Sequence, residues 1–399
     1  MSSIISCGDV RIKLLFPLIG GVGKCLADSI LYKFKLEINK HPFILGINAA
    51  LGMCLSIIPL IWMKIKNKGV DDPSILNDKN LYKEEYINRY SKTKVKFNKT
   101  IIIVLSSFLD FLQKILTFLL SKNIESNIWA FDILFLNIFS ICILKTKLYR
   151  HQYFSIITII ILGIILNIIN FYIQEDNKIS FLWLPFLIEI SYCLSLVLNK
   201  YGMEYWFCTP YEISFYEGLF ALIINIILLI IFSNIKIPED SKIIEFFNHP
   251  DKDPNIYLDN FHEYYKKLKA SEIIAFIINM ISRGIFNLFS IITVYEFTPS
   301  HVIFLLILGE VQFAFKGGEI FHIVIIITIY CFLFFMTLIF TEIIEINLFG
   351  LEKNTKKNIK ARISQNENIE ENESGLDIDL GNISIALPII SEDNNSINN

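Results

Sequence analysis

Charge is scarce in this chain. Only 19% of its 399 residues are Asp, Glu, Lys or Arg, while 53% are hydrophobic and 14% aromatic. An ordinary soluble domain carries about 25% charged residues. With a mean hydropathy of +0.51, this balance excludes a soluble globule of this size.

Metal and nucleophile patterns are missing too. The seven cysteines, at positions 7, 25, 54, 142, 193, 208 and 331, show no metal spacing. Most fall inside apolar runs, where they read as small apolar fillers; no disulfide framework is expected. The six histidines occur in no HxxxH or HxxEH context, so neither a metal site nor a cofactor is expected. No DxxD or HxxxD arrangement stands at the end of an apolar run. A membrane-embedded lipid-modifying enzyme needs such groups at the bilayer surface to hold metal and phosphate, so enzymatic activity is not expected. The stretch GGVGK at 20–24 lacks the spacing and the following Ser or Thr of a phosphate-binding loop. Within "IGGVGKCLA" it reads as a run of small residues that lets helices approach closely. The start, "MSSIISCGDVRIK", shows no secretory signal pattern. A net charge of −3 marks no polybasic surface, and no nucleic acid partner is expected.

What the chain does have is apolar runs near twenty residues long, the length that crosses a hydrocarbon core as a helix. Ten stand out, at roughly 14–32, 43–63, 100–120, 128–144, 153–173, 179–199, 211–233, 272–295, 300–315 and 320–341. The fourth and ninth are short. The expectation is an all-α integral membrane protein of ten transmembrane helices. The segment Lys64–Lys99 holds ten basic against five acidic residues, which marks it as cytoplasmic. "KTKLYR" at 145–150 and "LEKNTKKNIKAR" at 351–362 fall on the same side, so both termini are expected in the cytoplasm. Only "YKFKLEINK" at 32–40 goes against this trend. The glycosylation sequons at Asn98, Asn372, Asn382 and Asn394 all lie on that cytoplasmic side.

The runs divide five plus five near residue 175. Each group has an odd number of crossings, so the two would lie in opposite orientations, the arithmetic of an inverted-topology repeat. The expected organisation is a cytoplasmic N-terminus (1–13), a first five-helix repeat (14–173, with the basic loop 64–99) and a second repeat (174–345, with an outer loop 234–270). A tail rich in Asn, Glu, Ser and Asp (346–399) is expected to be disordered.

Charges inside these runs need an explanation, because one at mid-bilayer costs about 2.5–3.5 kcal/mol on insertion scales. In "IIIVLSSFLDFLQKILTFLL", Asp110 and Lys114 share a helix face, with Gln113 beside them. Lys24 and Asp28 repeat that spacing in the first run. Arg283 sits mid-run in the eighth, with Asn279 and Asn287 one turn to either side. The third and eighth runs are counterparts in a five-plus-five arrangement, so both would centre a cation among amides. Asp110, Gln113, Lys114, Asn279, Arg283 and Asn287 are therefore candidates to bind a polar solute at the midplane. The alternative is that Asp110–Lys114 and Lys24–Asp28 are neutralised pairs that lock helices together. Asp132, Glu189, Glu217 and Glu310 are further candidates for pairing or for carrying a coupling proton, along with Lys24 and Asp28. Glu212, Glu296 and Glu342, near run ends, read as solvated. Tyr201, Tyr205, Trp206 and Phe207 read as an interfacial belt.

Two stretches carry a resemblance. "LNKYGMEYWFCTPYEISFYEGLF" at 198–220 leaves one run with Asn-Lys-Tyr, turns at Thr209-Pro210 and re-enters with Phe-Tyr-Glu-Gly. "EFTPSHVIFLLILGEV" at 296–311 repeats the Thr-Pro turn before the ninth run. With the ten-run pattern over about 12–345, the chain resembles the drug/metabolite transporter superfamily and looks like a divergent member near the solute carrier 35 family of nucleotide-sugar-type carriers. The resemblance implies a central cavity lined by spans one to four and six to nine, with alternating access by rocking of two halves. The loops at 64–99 and 234–270 are long for that family, and no nucleotide- or sugar-reading motif is present.

The sequence thus points to a multi-pass carrier of a small anionic or zwitterionic solute, such as a nucleotide sugar, in an endomembrane or the plasma membrane. Its partners would be the solute and the bilayer, with the chain alone or as a homodimer. A non-transporting scaffold or receptor, and the lipid-modifying enzyme discussed above, are the other classes the composition admits.

Overall fold

The computed structural model describes residues 15–33, 41–67, 98–120, 131–146, 148–173, 183–206, 208–235, 259, 261–310 and 320–341. Residues 1–13, most of the loops at 64–99 and 234–270, and the tail 346–399 lie outside the described residues.

Every regular element among the described residues is a helix. In chain order these are α1 (Leu15–Lys33), α2 (Pro42–Cys54), α3 (Ile57–Asn67), α4 (Lys99–Leu120), α5 (Asp132–Phe139), α6 (Arg150–Ile173), α7 (Trp183–Trp206), α8 (Pro210–Asn234), α9 (Phe261–Lys267), α10 (Ala270–Glu296), α11 (Ile303–Glu310) and α12 (Ile320–Phe340). Each apolar run of the sequence carries at least one of them. Five segments are long and apolar enough to cross a membrane: Pro42–Trp62, Lys99–Thr117, Pro210–Asn234, Ala270–Glu296 and Ile323–Phe340. Three shorter apolar segments, Asp132–Leu144, Arg150–Leu166 and Pro299–Gly309, accompany them.

Both short runs are irregular. The fourth passes from α5 into a π-helical turn, Ser140–Leu144, and stops at Lys145, whose φ of 54° is left-handed. The ninth opens with a 3-10 turn, Pro299–Val302, before α11 begins. The second run breaks at Leu55–Ser56 between α2 and α3. There the Ser56 hydroxyl donates to the Met53 carbonyl (2.7 Å) and to the Tyr211 carbonyl (3.2 Å).

Helix α8 shows how the elements face. Its exposed side is Leu219, Ile223, Ile226, Ile227, Ile230 and Ile231, one stripe at helical spacing. Its buried side is Ser214, Glu217, Gly218, Ala221 and Asn225. Beyond the first turn, where Ile213 is also buried, the polar and small residues are inside and most isoleucines outside. In water such a stripe would invite aggregation; in hydrocarbon it is the solvent-facing side, and small buried residues let helices pack closely.

Packing joins α1 to α10 and α11, α2 to α8 and α10, α4 to α7 and α8, α5 to α7, and α6 to α12. The tightest approach is between Gly52 and Gly284. A Cβ at Gly284 would overlap the Gly52 carbonyl, and one at Gly52 the Met280 carbonyl. Only hydrogen at both positions lets α2 and α10 meet backbone to backbone. The glycines of "IGGVGKCLA" work in the same way, with Gly21 against Leu308 and Gly23 against Ile285 and Phe286.

Two sequence expectations change here. Tyr201 is buried, not interfacial, and stacks on Tyr205 with ring centroids 4.3 Å apart. It packs with Ile102 and Leu198, because α7 turns this face toward α4. Glu212 is not simply solvated: its carboxylate meets the Lys99 ammonium at 2.9 Å.

Candidate functional site

The charges of α1 and α10 meet. The Arg283 guanidinium donates to Asp28 at 2.9 Å, and the Lys24 ammonium stands 4.0 Å from the other oxygen of the same carboxylate. One acid is thus shared by two cations, and all three side chains are 14–17% exposed. In the sequence Lys24 and Asp28 look like a closed pair; in the fold Arg283 takes the shorter contact. With no acid one turn away in its own helix, Arg283 needs a cross-helix partner or a ligand, and the packing of α1 on α10 supplies Asp28.

The amides flank this cluster. Asn279 is fully buried and donates to the Ala27 carbonyl at 2.9 Å, pinning α10 to α1. Its side-chain oxygen and the side-chain nitrogen of Asn287 are buried with no hydrogen-bond partner among the described residues. Unpaired groups of this kind are rare in folded chains and ask for water or a ligand. Lys24 is positioned by its neighbour on α11: a Cβ at Gly309 would run into the Lys24 stem.

A second cluster lies on the other side of α2. Asp110 and Lys114 pair at 2.5 Å, and the Lys114 ammonium reaches the Met53 sulfur at 3.0 Å. Glu217 of α8, 2% exposed, accepts from Asn199 of α7 at 2.8 Å and feels the charges of Asp110 and Lys114. Gln113 turns away from this group. It donates to Thr117 at 3.3 Å, and the Thr117 hydroxyl donates back to the Gln113 carbonyl. Met53 follows Gly52, which touches the residue next to Arg283, so α2 runs between the two clusters.

The third group is acidic. Asp132 of α5 is 1% exposed and faces Glu189 and Cys193 of α7. Glu189 of α7 and Lys24 of α1 are among the charges acting on it. The Lys24 charge is thus felt at Asp132 as well as at Asp28. The side chain of Glu310 lies outside the described residues. No group of three or more His, Cys, Asp or Glu suited to a metal is present among the described residues.

His41 forms a further buried contact that no sequence pattern marks. Its ring Nδ1 lies 2.9 Å from Asp259, and both residues are buried. The two stand 218 positions apart, so no local pattern links them. The only available signal is a polar pair flanking otherwise apolar runs.

Long apolar helices with outward isoleucines and inward charges define the chain as an all-α protein fit to cross a membrane several times, the build of a multi-pass membrane protein. Compared with known protein families and with curated proteins, the chain matches no family model and no curated protein.

Proposed function

We propose that the chain is a carrier of a small anionic or zwitterionic organic solute, built as two five-helix halves of opposite orientation, in keeping with its resemblance to the drug/metabolite transporter superfamily. The observation that carries this reading is the Lys24–Asp28–Arg283 cluster in the middle of two otherwise apolar helices. Two cations stand beside a single carboxylate here, a setting in which an anionic group of the solute would find charge-assisted hydrogen bonds. The unpaired amide atoms of Asn279 and Asn287 would serve the same solute. A scaffold has no need to keep such groups away from water.

The packing pattern supports the two-half arrangement. With α1, α2–α3, α4, α5 and α6 in one half and α7, α8, α10, α11 and α12 in the other, the most extensive contacts come in matched pairs, while the smaller α7–α10 contact has no counterpart of like size between α1 and α4. Contact α1–α10 corresponds to α7–α4, α2–α10 to α8–α4, and α1–α11 to α7–α5. Contacts α2–α8 and α6–α12 are their own counterparts. An internal twofold axis demands such matching; an arbitrary bundle of ten helices does not. A buried carboxyl such as Glu217 or Asp132 would serve for a coupling proton.

The test is thermal stabilisation of purified protein by a panel of nucleotide sugars, nucleotides, phosphorylated metabolites and amino acids, followed by uptake into proteoliposomes. A ligand that binds the folded state alone raises Tm with its saturation. An anionic ligand should stabilise wild type and not Arg283→Gln, and uptake should be lost in the variant. Equal stabilisation of both proteins would remove Arg283 as the reader of the solute; no ligand and no uptake would overturn the carrier reading.

Gly309→Ala tests the placing of Lys24. The added methyl would overlap the Lys24 Cδ and Cγ and come within 3.0 Å of its Cβ, so the side chain must change rotamer and α1 must give slightly; stability should fall by about 1–3 kcal/mol. Displacing the ammonium from Asp28 should weaken ligand binding several-fold, measured as Kd by titration.

A further inference from the structure

We propose that two polar ties, one at each end of the α2–α8 pair, are the gates of the two mouths of this protein, and that only one of them is held firmly in this structure. The proposal rests on the two-half carrier reading above.

The first tie is centred on Asp259. One carboxylate oxygen binds His41 at 2.9 Å; the other accepts from the backbone N–H groups of Phe43 and Ile44 at 2.8 and 3.3 Å. A carboxylate from the segment before α9 thus caps the start of α2, where the helix's first N–H groups, after Pro42, which has none, leave donors to satisfy. The Asp259 carbonyl in turn accepts from the Ser233 hydroxyl at the end of α8, at 2.8 Å. Tyr264 packs edge-on against His41 and joins Ile44, Leu45, Ala49 and Ala275 in one apolar cluster. Burial, and then the Glu272 charge, push the Tyr264 phenol up to about 12, so it stays neutral under physiological conditions. Asp259 therefore fastens the start of α2, in the first half, to the end of α8 and the approach to α10, in the second.

The second tie joins Lys99, which opens α4, to Glu212 in the first turn of α8, at 2.9 Å. Thr209 caps the same turn by accepting from the Glu212 N–H at 3.1 Å. Beside it, Ser56 of the first half bonds the Tyr211 carbonyl of the second. Cys208 is buried here, and burial raises its thiol above the ordinary value, with Lys99 opposing.

Their placement makes these ties a pair. Helices α2 and α8 run antiparallel: Phe43 stacks on Phe232 at one end, and Ser56 meets Tyr211 at the other. Helix α8 has 25 residues, about 37 Å at 1.5 Å per residue, so the ties stand roughly one membrane thickness apart. Exchanging the halves turns α2 into α8 and α10 into α4. The same exchange carries the approach to α10, where Asp259 ahead of α9 grips the start of α2, onto the start of α4, where Lys99 grips the start of α8. Each tie bridges the halves at one face.

They differ in strength. At the first, the side chains are 6% and 0% exposed and Asp259 makes three contacts. At the second, they are 39% and 24% exposed around a single contact. The Asp259 end is therefore firmly closed and the Glu212 end lightly so. Opening the Asp259 mouth requires that carboxylate to leave the start of α2.

Amide hydrogen exchange on the full-length protein in lipid nanodiscs tests this without any substrate. Asp259→Asn should speed exchange at residues 43–48 by about tenfold or more and, because the mouths alternate, slow exchange at residues 211–215. Lys99→Met should do the reverse. It keeps the proposal testable if Asp259→Asn does not fold. Faster exchange only at the mutated end, in both variants, would mean two independent helix caps and would overturn the gates. Reciprocal exchange in a protein that takes up no solute would keep the gates and remove the carrier reading. Uptake with no reciprocity would do the opposite.

Discussion

Asp28→Asn is expected to cost the protein about 3 kcal/mol of stability, the scale for removing one partner of a buried ion pair. The loss should appear as a drop in Tm and in the yield of monodisperse protein from detergent. Asp28 is the carboxylate shared by Arg283 and Lys24, so its removal leaves two cations facing each other between α1 and α10. Arg283→Gln removes one of those cations and leaves Asp28 with Lys24 at 4.0 Å, so it should cost distinctly less. The double variant Asp28→Asn/Arg283→Gln should be more stable than Asp28→Asn alone. A double-mutant cycle would report the coupling directly. If Asp28→Asn were as stable as wild type, the carboxylate would have no structural part here, and the cluster would have to be held by other contacts.

Gly284→Leu is expected to have an effect at least as large, and for a different reason. Its Cβ would enter the Gly52 carbonyl, and the contact is backbone against backbone. No rotamer relieves it, so α2 and α10 must separate. Overpacking costs about 1–3 kcal/mol where side chains can move; here it should exceed that range and abolish folding. Gly202→Ala is the control, because a Cβ there meets only Ile102 at 3.6 Å and Ile213 at 4.0 Å. Size-exclusion profiles of fluorescently tagged variants would distinguish the two. A well-folded Gly284→Leu would show that α2 and α10 do not meet as described.

These two predictions also mark where sequence reading stops. That Arg283 must find a partner outside its own helix is legible from residues 279–287 alone. That the partner is Asp28, with Lys24 second, depends on α1 lying against α10 and on a register that brings Ala27 to Asn279. Gln113 shows the converse. Its position beside Lys114 makes it look like part of the polar group, but its side chain closes on Thr117 within its own helix. Spacing places a residue on a face, while the rotamer and the neighbouring helix decide what it touches.

His41 and Asp259 make the same point over a longer range. Each looks unremarkable in sequence, a lone histidine before one apolar run and an acid in a long loop. Their pairing exists because α2 and α8 are antiparallel, which sets the end of α8, where Ser233 bonds Asp259, beside the start of α2. Tyr201 was misplaced for a related reason: aromatic residues near a run's end are common at membrane interfaces, but here α7 rolls Tyr201 into its contact with α4.

The sequence by itself determined the solvent and the elements. Apolar runs of bilayer length, a low share of charge and helix-spaced polar residues require helices that keep isoleucine outside and charge inside, because hydrocarbon satisfies no backbone polar group and penalises every bare charge. Which charges meet was decided only by the tertiary structure. Glycine-to-glycine contact sets how near α2 and α10 come, and the antiparallel lie of α2 on α8 sets which ends are tied. An ion pair forms over a few ångströms, and distances that short between residues hundreds of positions apart are a property of packing alone.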